Sequence, residues 1–128
     1  MNIHYTVTTE KSFEEALNAL KKSLKERSFG VLWELDFEET LKGKGLDFEG
    51  NMKILEVCNP KQAKEILEIN MESGIFLPCK MAVYEDKGSV IIGLIKPSEL
   101  MNVFDDSKLS EIALTIEEGL MAAMDQAK

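Results

Sequence analysis

The chain has 128 residues, enough for one domain over 1–128 with a single hydrophobic core. With 45% hydrophobic and 30% charged residues, its composition argues against wholesale disorder, and nowhere does the chain approach the ~18 consecutive apolar residues of a membrane-spanning helix. Fifteen basic against 23 acidic residues leave a net charge of −8, a mean field that repels nucleic-acid phosphates and anionic lipid alike.

The first residues, Met1 to Tyr5, have neither a basic segment nor a continuous apolar stretch, so no secretory signal is read and a cytoplasmic location is expected. From Ile3 to Thr8 alternating Tyr, Val and Thr predict a first strand. Ser12-Phe13-Glu14-Glu15 is a capping box, and Phe13, Ala16, Leu17, Leu20 and Leu24 then share one face of a helix reaching about Ser28. Gly30 is expected to end it in the left-handed conformation. The basic stretch Lys21-Lys22-Ser23-Leu24-Lys25 falls on the solvated side of that helix.

Val31 to Phe37 alternates as a second strand, with Val31, Trp33, Leu35 and Phe37 on one side and Leu32, Glu34 and Asp36 on the other. Asp36 and Glu39 start a short helix that Gly43 and Gly45 break, and Gly43 to Asn51 reads as a mobile loop. Met52 to Val57 is a third strand, Cys58 ends it, and Asn59-Pro60 opens a helix because Asn caps free amides and Pro at the first helical position has no amide to orphan. Ala63, Ile66 and Leu67 form the buried stripe of that helix, which Gly74 closes. Ile75–Glu85 and Ser89–Lys96 flank Asp86-Lys87-Gly88 as an antiparallel hairpin. Pro97 to Leu100 gives a short helix, and Asp106 or Ser107 caps a long one with Leu109, Ile112, Ala113, Ile116, Leu120, Ala123 and Met124 at helical spacing. Gly119 inside it either costs about 1 kcal/mol relative to Ala or admits another backbone.

Five strands with amphipathic helices predict an α+β two-layer sandwich, a mixed or antiparallel sheet with helices on one face. In the Ile75–Glu85 run Phe76, Pro78, Lys80, Ala82 and Tyr84 face away from Ile75, Leu77, Cys79, Met81 and Val83, and both sides are apolar. The second side therefore needs a cover, and a homodimer is expected.

The chain also resembles a small prokaryotic family catalogued as "domain of unknown function 302". The matching segments are Phe29-Gly30-Val31-Leu32 with Glu34 and Asp36, Thr40-Leu41-Lys42-Gly43-Lys44-Gly45, Ile54-Leu55 with Cys58-Asn59-Pro60 and Ala63, and Leu77-Pro78-Cys79 with Val83-Tyr84-Glu85. Lys80 departs from the family pattern, which has Asn after the second Cys. The resemblance implies a two-layer fold similar to the TATA-binding-protein-like class, with no established activity, substrate or cofactor. Likeness in fold to a DNA binder carries no function.

Two constellations are candidates for chemistry. Cys58, beside the Asn59 helix start, and Cys79 would act as a redox or soft-metal pair if the fold joins them, with helix amides stabilising a Cys58 thiolate. The plainer reading makes both small buried hydrophobes, and Cys79 shares a strand face with Met81 and Val83. The second constellation is Glu34 and Asp36 with Lys42 and Lys44, placed to line a pocket near Asn59 for a small polar or anionic ligand, against the plainer reading of capping and solvated charges. His4 stands alone, Met121 and Met124 suit core or dimer packing, and the common hydrolase, nucleotide-loop and zinc-protease signatures are missing. No metal ligand set is read. The expectation is thus a small ligand-binding or interaction module, with a thiol-dependent redox or metal-handling protein as the alternative.

Overall fold

The alternating Tyr, Val and Thr of the N-terminal segment form strand β1 (His4–Thr9) in a computed structural model that describes residues 2–128. The capping box follows it: Glu15 N donates to Ser12 Oγ and Ser12 N to Glu15 Oε1, each at 3.1 Å, and helix α1 (Phe13–Glu26) buries Phe13, Ala16, Leu17, Leu20 and Leu24 as its spacing predicts. The helix does not end on Gly30. Ser28 takes the left-handed turn at φ 67°, Ser28 N donates to Lys25 O at 3.1 Å, and Phe29 N donates to Leu24 O at 2.9 Å. This is a Schellman ending, and the reason it comes two residues early is packing: it swings Phe29 into the core beside Leu24, while Gly30 is already strand. Ser28→Gly is expected to stabilise the fold by up to about 1 kcal/mol, because relief of the ~1–2 kcal/mol left-handed cost outweighs the added unfolded-chain entropy. An unchanged or lower urea midpoint would contradict this.

Strand β2 (Gly30–Asp36) pairs antiparallel with β3 (Met52–Cys58), but the register slips between Val31 and Trp33. Val31 lies opposite Val57 and Trp33 opposite Glu56, so Leu32 is the extra residue of a bulge. The expected grouping of Val31 with Trp33 and Leu35 is thereby overturned. Val31, Glu34 and Asp36 face the helices, whereas Trp33 and Leu35 face the other way.

Asp36 Oδ1 accepts from Glu39 N at 3.2 Å and caps α2 (Phe37–Gly43), which ends as the glycines require, with Gly45 at φ 78°. The expected loop to Asn51 is irregular, and it is tied back by Gly50 N donating to Glu38 Oε2 at 2.8 Å. Asn59 and Pro60 open α3 (Pro60–Ile69), where Ile66 is fully buried while Ala63 and Leu67 are half-buried. The segment expected to begin the hairpin strand instead forms a 3₁₀ turn over Met71–Phe76, started by Asn70 Oδ1 accepting from Glu72 N. Strand β4 (Cys79–Asp86) therefore starts four residues later than its apolar run, and Ile75 is 76% exposed. Local capping wins over β propensity here. Lys87 (φ 52°) and Gly88 (φ 83°) make the two-residue turn to β5 (Ser89–Ile95).

Helix α4 (Pro97–Met101) begins without a cap from Lys96. Its free amide end is met by Glu117 of α5 (Ser107–Ala127), a 6% exposed carboxylate that accepts from Ser98 N at 3.2 Å and from Ser98 Oγ at 2.6 Å. Asp106 caps α5 through Leu109 N at 2.9 Å. Gly119 is explained by a side chain and not a backbone: a Cβ there would stand 3.2 Å from the Phe29 ring.

The five strands form one antiparallel sheet in the order β1-β5-β4-β3-β2, confirming the expected α+β sandwich. Val7, Ile92, Leu94, Met81, Val83, Leu55 and Val57 point into the helix layer, where α1 and α5 are pinned together by Ser23 Oγ donating to Ala123 O at 2.9 Å. Among the described residues no helix is long and apolar enough to cross a membrane.

Candidate functional site

Alternation along the strands leaves a second sheet face made of Thr6 on β1, Ile91, Gly93 and Ile95 on β5, Ala82 and Tyr84 on β4, Met52 and Ile54 on β3, and Trp33 and Leu35 on β2. The buried core positions all lie on the opposite face, and here Trp33 is 50% exposed with Ile54, Tyr84, Ile91 and Ile95 half-buried. The registered pairs Ala82–Gly93 and Thr6–Gly93 put the smallest side chains at the centre, giving a shallow hollow beside the Tyr84 ring. Charge is confined to its margin, where Glu56 and Lys80 are register partners at one end. Helix α2 and the following loop shelter the other end, with Phe37, Leu41 and Phe48 grouped beside Met52 and Tyr84.

A cavity of about 230 Å³ opens where the carboxyl ends of β3 and β5 meet the start of β4. Phe76, Leu77, Ile95 and Leu100 give it apolar walls, and Glu56 and Lys80 give it two charges of opposite sign. In the sequence Glu56 is one more residue of a strand, and Lys80 stands out only as a charge on the second strand face and as a departure from the family pattern. The available signal was that charged residues on an otherwise apolar strand face need a purpose.

The charged constellation expected near Asn59 is not brought together. Asp36 pairs with Lys53 and Gly30 with Cys58, so the Asp36 end of β2 and the Asn59 end of β3 are opposite ends of one strand pair, roughly 20 Å apart at ~3.3 Å per residue. All of its members but Lys44 are also already engaged. Glu34 Oε1 lies 2.6 Å from Lys21 Nζ and Oε2 lies 3.5 Å from Lys53 Nζ. Burial works against its ionisation, but the hydrogen bond and charge of Lys21, with Lys53 behind, hold its carboxyl below the usual range. Asp36 caps α2, Lys42 pairs with Glu38 at 3.3 Å, and Lys44 is exposed just past the helix end. Asn59 Oδ1 accepts from Gln62 N at 3.2 Å, a structural cap.

The two cysteines sit on neighbouring strands as free thiols. Cys79 is the register partner of Val57 on the helix-covered face, so Cys58 is one rung on and points to the other side of the pleat. Burial raises the Cys58 thiol, which opposes the thiolate that the helix start was expected to favour. Burial, with the field of Cys58 added, pushes Cys79 from 9.0 up to about 12. Among the described residues no group of three or more His, Cys, Asp or Glu is placed to hold a metal ion.

A thiol kept neutral in the fold stabilises it fully below its unfolded pKa, because above that value the unfolded chain releases the proton first. Stability should therefore fall between about pH 9 and pH 12 by up to about 1.4 kcal/mol per pH unit more in the wild type than in Cys79→Ala. Equal slopes in chemical unfolding of the two proteins would refute the assignment.

A family model described as "Domain of unknown function DUF302" matches residues 5–127. The fold matches the crystal structure of an uncharacterised conserved DUF302 protein from Bacillus stearothermophilus, with a TM-score of 0.95, 44% sequence identity and coverage of 100% of both chains. None of the curated proteins matches the chain.

Proposed function

This chain belongs to the DUF302 family, and from that premise we propose that it works as a cytoplasmic homodimeric module, joined through its two open sheet faces, that binds a small molecule and neither nucleic acid nor membrane. The observation that carries the reading is the uncharged centre of the open face, Ile54, Ala82, Tyr84, Ile91 and Gly93, in a chain of which 30% is charged. Two molecules of net charge −8 repel, and an apolar face with its charges at the margin is where they approach at least electrostatic cost.

The dimensions support the same reading. Five strands at ~4.8 Å spacing and about six residues at ~3.3 Å rise give a planar footprint of roughly 500 Å² before side-chain relief is counted. That is the order of the ~800 Å² per partner of a standard interface. The hollow over Ala82 and Gly93 offers space for side chains of the second copy. Two free thiols and no disulfide fit a reducing compartment, and the end cavity offers space for a small ligand. Sedimentation equilibrium at micromolar concentration tests the assembly: twice the 14.4 kDa chain mass is expected, and a monomeric mass overturns it.

A further inference from the structure

The cavity at the margin of the open face differs from the rest of that face in carrying one charge of each sign. Glu56 on β3 and Lys80 on β4 are cross-strand partners, both line the cavity, and neither belongs to an ion pair within 4.0 Å among the described residues. Around them the walls are apolar, with Phe76 and Leu77 on the segment entering β4 and Ile95 and Leu100 across from them. The Phe76 ring is held edge-on by Phe104 at 5.7 Å between centroids, so that wall is a fixed surface. At about 230 Å³ the space is smaller than the ~300–1,000 Å³ clefts that hold drug-sized ligands.

We propose that this cavity binds a small zwitterion with an apolar body, the chemical class of the hydrophobic α-amino acids. Lys80 takes the carboxylate, Glu56 takes the ammonium, and the ligand side chain lies against Phe76, Leu77, Ile95 and Leu100. A simple anion on Lys80 would meet the Glu56 carboxylate and the net −8 field of the chain. A simple cation on Glu56 would meet the Lys80 ammonium. A dipolar ligand satisfies both groups with charge-assisted hydrogen bonds and brings no net charge. The assignment deepens the ligand-binding part of the proposed function and does not depend on the dimer.

Isothermal titration of the full chain with L-leucine and L-phenylalanine tests it, with isocaproate and isoamylamine as analogues lacking the ammonium or the carboxylate. Saturable binding of an amino acid is expected, weakened at least about tenfold for each analogue and at least about tenfold in Lys80→Met and in Glu56→Gln. Both residues are partly exposed, so circular dichroism should show both variants folded. Absence of binding heat from both amino acids, equal affinity for the singly charged analogues, or undiminished binding in the two variants would each overturn the inference. A dimer that gives no heat removes this inference and leaves the dimer standing, whereas a monomer that binds removes the dimer and leaves the inference.

Discussion

Ala82→Glu should convert the proposed dimer into a monomer without unfolding the chain. Ala82 lies near the centre of the open face between Ile54 and Gly93, and a glutamate there can reach water in the separated chain. In the proposed face-to-face dimer two such carboxylates, related by symmetry, would be buried without partners. Removing an unpaired charge from water costs several kcal/mol, and at ~1.4 kcal/mol per tenfold change the dissociation constant should rise about a thousandfold or more. Sedimentation at matched concentration should then give the 14.4 kDa chain mass with an unchanged far-ultraviolet spectrum. A variant that remains dimeric would place the interface elsewhere. A variant that unfolds is distinguished by its spectrum, and Ile91→Glu on the neighbouring strand of the same face provides the second test.

Leu24→Ala is expected to have the largest effect on stability. Leu24 has no exposed surface, packs in the layer between α1, α5 and the sheet, and accepts the Phe29 amide that closes the helix. Truncation loses the transfer energy of the side chain, leaves a cavity in a layer that two long helices cannot easily collapse, and weakens the contact that holds Phe29 in place. The cost should fall in the range of about 3–5 kcal/mol. With a urea slope of ~1–3 kcal/mol/M, the midpoint should drop by roughly 1–5 M at constant slope and fixed protein concentration. A loss below about 1 kcal/mol would mean that the helix pair tolerates the cavity and that Leu24 is not central to the core.

What could be read without the fold divides along a physical line. The capping box at Ser12, the cap residues Asp36, Asn59 and Asp106, the Lys87-Gly88 turn and the buried stripes of α1 and α5 are properties of neighbouring residues, set by orphan amides and by helical periodicity. All of them stand in the structure where the sequence places them. The bulge at Val31–Trp33, the Schellman ending on Ser28 and the 3₁₀ turn in place of the first residues of a strand are different. The first two depend on which partner strand or core wall the side chain must meet, and the third on a cap at Asn70 that competes with an apolar run.

The candidate site divides in the same way. Cys58, Asn59 and Asp36 are where local reasoning puts them, at element boundaries, yet register alone decides that Cys58 and Cys79 stand on opposite sides of the pleat and that Asp36 and Asn59 are at opposite strand ends. Glu117 illustrates the limit: in sequence it is one more acidic residue on a helix, and only the approach of Ser98, 19 residues away, makes it the cap of another helix.

The sequence by itself therefore determined the element order, the α+β class, the family and the presence of an apolar second sheet face, because each is written in local periodicity, capping chemistry and motif. The tertiary structure decided which residues share that face, where its charges gather and that Glu56 and Lys80 border one cavity, because strand register and side-chain convergence are long-range properties that no window of sequence contains.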